Sequence, residues 1–236
     1  MLADSGLIRQ LWVPPFPNDS GGAIGAIAAH LFATSNVQRL RWDIYAGPEL
    51  IVNAPPDGWA SRRCSPEELG ELLAATGRPC VVMQGRSELG PRALGHRSVL
   101  MSPHARASEM LNDAKGRESY RPIAPVCLED WASEIFDPGG TDPYMLFEHR
   151  VRRDWRSRVP GVVHIDDSAR LQTVNASQNQ NLWAILHGHL RATGVPVLCN
   201  TSANYKGMGF FPDLRSAMTW GGVDLVWSGG VIFSKA

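Results

Sequence analysis

The chain has 236 residues, 44% of them hydrophobic, with 23 Lys/Arg against 23 Asp/Glu. A neutral balance argues against a bulk polyanion or membrane surface as partner and makes any anion site local. No apolar run approaches the ~20 residues of a membrane span, the start MLADSGLIRQ lacks a signal-peptide pattern, and four scattered cysteines without a C-x-x-C pair point to buried thiols and a cytoplasmic setting.

In chain order, residues 11–17, LWVPPFP, suggest a short strand ending in a turn. NDSGGAIGAIAAHLF then suggests a Gly-rich loop opening a helix, capped by Asn18, Asp19 or Ser20. Residues 46–63, with three prolines and paired arginines, suggest a linker and a boundary near residue 60. SPEELGELLAATG predicts a helix with Ser65 as N-cap, Pro66 in the first turn, Glu68 closing a capping box and Gly77 as terminator. CVVM is a buried strand, and SPHARASEMLNDAKG a second helix capped by Ser102. GVVHI and ARLQTV read as two strands joined by DDS. NLWAILHGHLRATG is a helix ending at Gly194, followed by the strand VPVLCN, a helix near 213–220 and strands near 224–234. Alternating helices and strands give an α/β or mixed α+β class with at least one ββ unit.

Four stretches could carry chemistry. QGRSELGPRALGHRSVL holds Arg86, Arg92 and Arg97 beside a buried strand. The residues alone leave two readings open: a surface loop with Glu88 paired to an arginine, or an anion-binding loop whose glycines admit backbone N–H contacts. LNDAKGRESYRPIAP adds Lys115, Arg117 and Arg121 at the end of a helix, where cations also serve as plain stabilisers. From Arg86 to Arg121 there are seven Lys/Arg and four Asp/Glu, an excess suited to a nucleotide or acyl phosphate. HIDDSARLQTV places Arg170 after a turn, with an exposed strand arginine as the competing reading. CNTSANYKG runs a strand into a polar turn at Thr201, Ser202 and Asn204, and ligands of α/β sheets commonly sit at strand C-terminal ends. His187 and His189 lie two apart on a helix, which suits metal chelation poorly, and the five arginines of 149–158 read as a solvated edge or partner surface.

GRSELGPRALGHRS, LNDAKGRESYRPIAP, PYMLF, HIDDSARLQTV and TGVPVLCNTSAN, in that order, resemble the C-terminal domain of the O-carbamoyltransferases that act on nodulation factors, cephamycins and aminoglycosides. That domain is similar to threonylcarbamoyl-adenylate synthases, which implies a twisted open mixed sheet with flanking helices. LWVPPFPNDSGGAIGA resembles the end of the family's larger actin-like first domain, so residues 1–60 are expected to be a remnant of it with a linker, and 61–236 the C-terminal domain. The resemblance implies an adenylate-forming transferase that uses ATP and Mg²⁺ to turn carbamoyl phosphate into carbamoyl adenylate for O-carbamoylation in secondary metabolism, an actin-like domain making the transfer to the acceptor; the first hypothesis here is that a separate actin-like subunit supplies that domain. It implies catalytic roles for Arg86, Arg92, Lys115, Arg121 and Arg170, nucleotide contacts from Arg97, Arg117, Ser202 and Asn204, and a metal role for Asp19 with ligands from a partner. The alternatives are a stand-alone enzyme activating another small acid or transferring to another acceptor, or a nucleotide-binding partner subunit without catalysis. Two positions depart from the family pattern: Asp167 stands where DGTAR has glycine, and Met208–Gly209 replace an acidic residue after Ser-x-Asn.

Overall fold

A computed structural model describes residues 6–7, 11, 13–17, 19–40 and 43–235. The elements are α1 (Gly22–Thr34), β1 (Trp59–Arg63), α2 (Pro66–Thr76), β2 (Cys80–Met83), β3 (Arg97–Met101), α3 (Ala107–Ala114), β4 (Ala124–Leu128), α4 (Ala132–Ile135), β5 (Phe136–Asp137), β6 (His149–Val151), α5 (Arg153–Arg156), β7 (Ser168–Ala169), β8 (Gln172–Val174), α6 (Gln180–Thr193), β9 (Val197–Ser202), α7 (Leu214–Thr219), β10 (Leu225–Ser228) and β11 (Val231–Lys235). Eight strands form one mixed sheet in the order β1-β11-β10-β2-β3-β9-β4-β8, and β5-β6-β7 form a small second sheet. β9 lies antiparallel between β3 and β4, with Val99 opposite Thr201 and Ala124 opposite Asn200.

The large sheet is covered on both faces, so its central strands are apolar at successive positions rather than alternately. Val81, Met83, Val99, Val197 and Cys199 join one cluster with Leu111, Phe136, Trp155 and Leu214. Their neighbours Cys80, Val82, Leu100 and Leu198 join a second cluster with Leu69 and Leu73 of α2 and Leu182, Ile185 and Leu186 of α6. Helices α2 and α6 cross at two glycines. A Cβ on Gly70 would lie 2.0 Å from the Ile185 carbonyl oxygen, and one on Gly188 would lie 2.0 Å from that of Glu67. All four cysteines are free and buried.

The capping box of Ser65 and Glu68 and the left-handed Gly77 bound α2 as expected. Gly194 ends α6, and β2, β9, α7, β10 and β11 fall where the patterning puts them. Elsewhere the structure differs. The described residues of 11–17 form no strand; Trp12 and Asn18 lie outside the described residues. Helix α1 has Gly21 at its N-cap with no side-chain cap, while Asp19 and Ser20 belong to a short 3₁₀ turn. Trp59–Arg63, expected in a linker, pairs with β11. Helix α3 begins after Arg106 rather than at Ser102, whose hydroxyl bonds His189 Nε2 at 2.9 Å instead. GVVHI is no strand: a 3₁₀ turn covers Pro160–Val162, and ARLQTV is divided between β7 and β8 of different sheets.

The segment before β1 is fastened to the loop between β2 and β3. Gly47 and Leu50 donate backbone bonds to the carbonyls of Ser87 and Gly85, and Ser87 and Leu89 return them to Pro48 and Ile44. Tyr45 stacks on His96, with centroids 3.6 Å apart, and donates its hydroxyl to the Leu94 carbonyl.

Candidate functional site

The loop from β2 to β3 is shaped by Glu88, which is 3% exposed. Its Oε1 accepts the backbone N–H groups of Leu94, His96 and Arg97 at 2.7, 2.8 and 3.1 Å. Glu88 thus binds backbone, not an arginine as the salt-bridged reading held. This folding sends the three arginines of the loop to different places. Arg97 is 1% exposed, and its guanidinium donates to the carbonyls of Gln84, His96 and Gly85. The exposed Arg86 donates to the Ala46 carbonyl at 2.9 Å, fastening the preceding segment. Only half-buried Arg92 reaches the concave surface at the C-terminal end of β9.

There Arg92, Arg117 and Arg170 line a cavity of about 120 Å³ whose floor is Asn200, Thr201 and Ser202 of β9, and among the described residues no carboxylate lines it. Burial, and then the nearby Arg170 guanidinium, draw the Arg92 pKa below its ordinary value. Among the described residues neither Arg92 nor Arg170 has a carboxylate ion-pair partner. Arg170 is exposed, as its competing reading held, though between strands rather than in one; set beside half-buried Arg92 without a counter-charge, it makes a pair that an anion would complete.

Arg117 and Ser202 also line an adjoining cavity of about 340 Å³, with Lys115, Arg121, Asn204, Lys206 and Glu118. Gly116, at φ +58°, turns the chain out of α3 in the left-handed conformation that glycine tolerates, which lets Lys115 and Arg117 address the same region. Lys115 is 4% exposed. Its ammonium donates to the Ser202 carbonyl, to Ser202 Oγ at 3.0 Å and to Asn204 Oδ1 at 2.6 Å. These acceptors favour the charged amine; burial, and secondly the Arg117 charge, oppose it and pull the pKa down to about 7. Arg117 Nε donates to Asn112 Oδ1 at 2.6 Å, while Asn112 Nδ2 donates to the carbonyls of Ser119 and Arg121 at 3.2 and 2.9 Å. One buried asparagine thereby shapes the whole turn that carries Arg117. Arg121 is exposed and paired to Glu118 at 2.7 Å.

The structure therefore brings together Arg92, Lys115, Arg117, Arg121, Arg170, Ser202 and Asn204, and leaves Arg86 and Arg97 outside. Asp19 is exposed in its 3₁₀ turn, and among the described residues no three His, Cys, Asp or Glu side chains cluster for a metal. Lys206 follows the polar turn of CNTSANYKG but is not among the expected site residues, and neither Asn200 nor Asn112 stands out in the sequence. A polar residue closing the apolar run VPVLCN was the available sign for Asn200, whereas Asn112 resembled any polar helix residue. Asp167 adopts φ +67°, which explains a glycine at this turn, and its carboxylate is paired with Arg156 at 2.7 Å. The extra negative charge beside Arg170 is thus compensated. Met208, in the other departure, is exposed. A larger cavity of about 410 Å³, lined by Tyr45, Tyr144, Gln172 and Gln178 among others, has no cation among its described lining residues, so charge rather than volume selects the site.

A family model described as "Carbamoyltransferase C-terminus" matches residues 71–235. Nodulation protein U of Rhizobium tropici is 48% identical over 235 residues, covering 99% of this chain and 41% of that protein. The 3'-hydroxymethylcephem-O-carbamoyltransferase of Amycolatopsis lactamdurans is 41% identical over 211 residues, covering 88% of this chain and 40% of that protein. A crystal structure of T. kodakarensis HypF aligns with a TM-score of 0.47 and 14% identity, covering 75% of this chain and 23% of that one. The chain spans about two-fifths of the length of the curated relatives it matches. The family match runs from α2 through β11 and includes the strand and loops that gather the cations, and on that match the chain belongs to the carbamoyltransferase C-terminal family.

Proposed function

We propose that this chain activates a carbamoyl group with ATP, making carbamoyl adenylate for O-carbamoylation of an acceptor hydroxyl. The observation that carries this reading is the pair of joined cationic cavities, one small and free of carboxylates, the other larger and headed by Lys115. Carbamoyl phosphate fits the first through Arg92, Arg117 and Arg170. The triphosphate of ATP fits the second through Lys115, Arg117, Arg121 and Lys206. Among the described residues Glu118 is the only carboxylate lining either cavity and is already paired, so Mg²⁺ would arrive on the triphosphate rather than in a protein cage.

In the proposed reaction, water cleaves carbamoyl phosphate to carbamate and phosphate. A carbamate oxygen then bonds to the α-phosphorus of ATP as the bond to the bridging oxygen breaks and pyrophosphate leaves. The chain's own task is to hold mutually repelling anions in line and to stabilise the charge that builds on the phosphoryl oxygens, which preorganised cations do without reorganising. Nothing in this scheme needs a nucleophilic side chain. A further part of the proposal is that acceptor binding and transfer fall to an actin-like region, in a separate subunit or elsewhere in the same polypeptide.

The test is incubation with ATP, Mg²⁺ and carbamoyl phosphate, following pyrophosphate and the adenylate by chromatography. Formation of both, lost on Arg92→Ala, supports the proposal. Absence of product both alone and with an actin-like partner subunit rejects it.

A further inference from the structure

Asn200 stands inside the large sheet, on β9 between β3 and β4, and is 2% exposed. Its Nδ2 donates to the Ala93 carbonyl at 2.9 Å and to Gln172 Oε1 at 2.6 Å. A backbone carbonyl can only accept, so the Ala93 bond fixes which end of the amide is nitrogen. The other end, Oδ1, is buried and has no hydrogen-bond partner. An unmatched buried carbonyl costs about 1–3 kcal/mol, and such groups are rare in folded proteins.

Asn200 also forms part of the wall of the 120 Å³ cavity that holds Arg92, Arg117 and Arg170. The three guanidiniums only donate, and the hydroxyls of Thr201 and Ser202 can turn to donate or accept. Asn200 Oδ1 can only accept. A ligand completing this pocket therefore needs an anionic group for the arginines and an N–H for Asn200. We infer that Asn200 is a specificity-determining residue that accepts a hydrogen bond from the amide N–H of the carbamoyl donor and so distinguishes a carbamoyl phosphate from an acyl phosphate of the same shape. This rests on the proposed use of carbamoyl phosphate and adds how the nitrogen is recognised. Gln172, by taking one Nδ2 hydrogen, keeps the amide from rotating its oxygen away.

The discriminating pair is carbamoyl phosphate and acetyl phosphate, which present the same phosphate and carbonyl but differ as NH₂ against CH₃. Each, freshly dissolved, is titrated calorimetrically into the full chain, with inorganic phosphate as a third ligand. The expected result is that carbamoyl phosphate binds at least about tenfold tighter than acetyl phosphate, the factor that corresponds to one well-made buried hydrogen bond. In Asn200→Ala the two acyl phosphates converge while inorganic phosphate keeps its affinity. Equal binding of the two by the unaltered chain overturns the role of Asn200 and leaves the phosphate site standing, whatever the folding of the variant. Failure of all three ligands to bind overturns the carbamoyl phosphate assignment together with it. A preference for carbamoyl phosphate that persists in a folded Asn200→Ala protein overturns the role of this residue alone.

Discussion

Replacing Lys115 by methionine removes the ammonium at nearly constant volume and separates its two effects. In the folded protein the amine titrates at about 7 rather than the ordinary 10.5, burial being the larger cause and Arg117 the second. Between those values the unfolded chain holds a proton that the folded chain has released. Stability therefore rises as pH increases from about 7 to about 10, by as much as ~1.4 kcal/mol per pH unit at the steepest and on the order of 4 kcal/mol in all. Lys115→Met should flatten that limb of the profile, which urea titrations across the range would read. Anion binding reverses the balance, because a phosphate beside the amine favours its charged form. Binding above about pH 7, where the free amine is mostly neutral, therefore takes up a proton, one per site at most. Calorimetry of ATP binding in buffers of different ionisation enthalpy counts that proton, and Lys115→Met should lose it. Proton uptake by the variant equal to that of the unaltered chain would refute the argument, as would direct titration of Lys115 near its ordinary value.

Removing one member of the unpaired arginine set, as in Arg92→Ala or Arg170→Ala, should lower the rate of pyrophosphate release by roughly 10²–10³. The same changes should leave the melting temperature equal or slightly raised, since each relieves repulsion between the two. Asn112→Ala should cost about 1–3 kcal/mol in urea unfolding, because it leaves the Ser119 and Arg121 carbonyls and Arg117 Nε without their partner. Activity should fall with it as the turn carrying Arg117 loosens. Asp167→Gly should change stability by less than about 1 kcal/mol, the gain from relieving the left-handed backbone offsetting the lost pair with Arg156. It should leave pyrophosphate release unaltered, because the charge it deletes is already compensated.

Much of the fold is legible where local chemistry and burial agree. Ser65, Glu68 and Gly77 write the limits of α2 in the sequence, and the short apolar runs before Gln84 and after Gly194 become β2 and β9. Strands β3 and β4 were not anticipated, since Arg97 heads one and a Pro-rich stretch precedes the other. The split of ARLQTV between two sheets depends on long-range pairing that no local pattern encodes. At the site, the resemblance named seven residues that do converge. Arg86 and Arg97 show what charge density along a chain leaves out, which is direction. The backbone bonds gathered by Glu88 turn Arg97 inward to carbonyls and leave Arg86 against Ala46, while Arg92, between them, faces the cavity. Asn112 escaped notice because its partners are carbonyls, which look alike in any sequence.

The crossing of α2 and α6 at Gly70 and Gly188 bears on how a ligand would arrive. The two helices lie so close that they press Leu69, Leu73, Ile185 and Leu186 onto Leu100 of β3 and Leu198 of β9 as a single layer. Strands held in this way open only with the whole molecule, so their amides should be among the last to exchange with solvent. Residues 200–202, at the far end of the same strand, then form a floor that exists before any anion reaches it. Capture would be governed by the attraction of the converging guanidiniums across solvent and would slow as salt is added, with little waiting for the protein to rearrange.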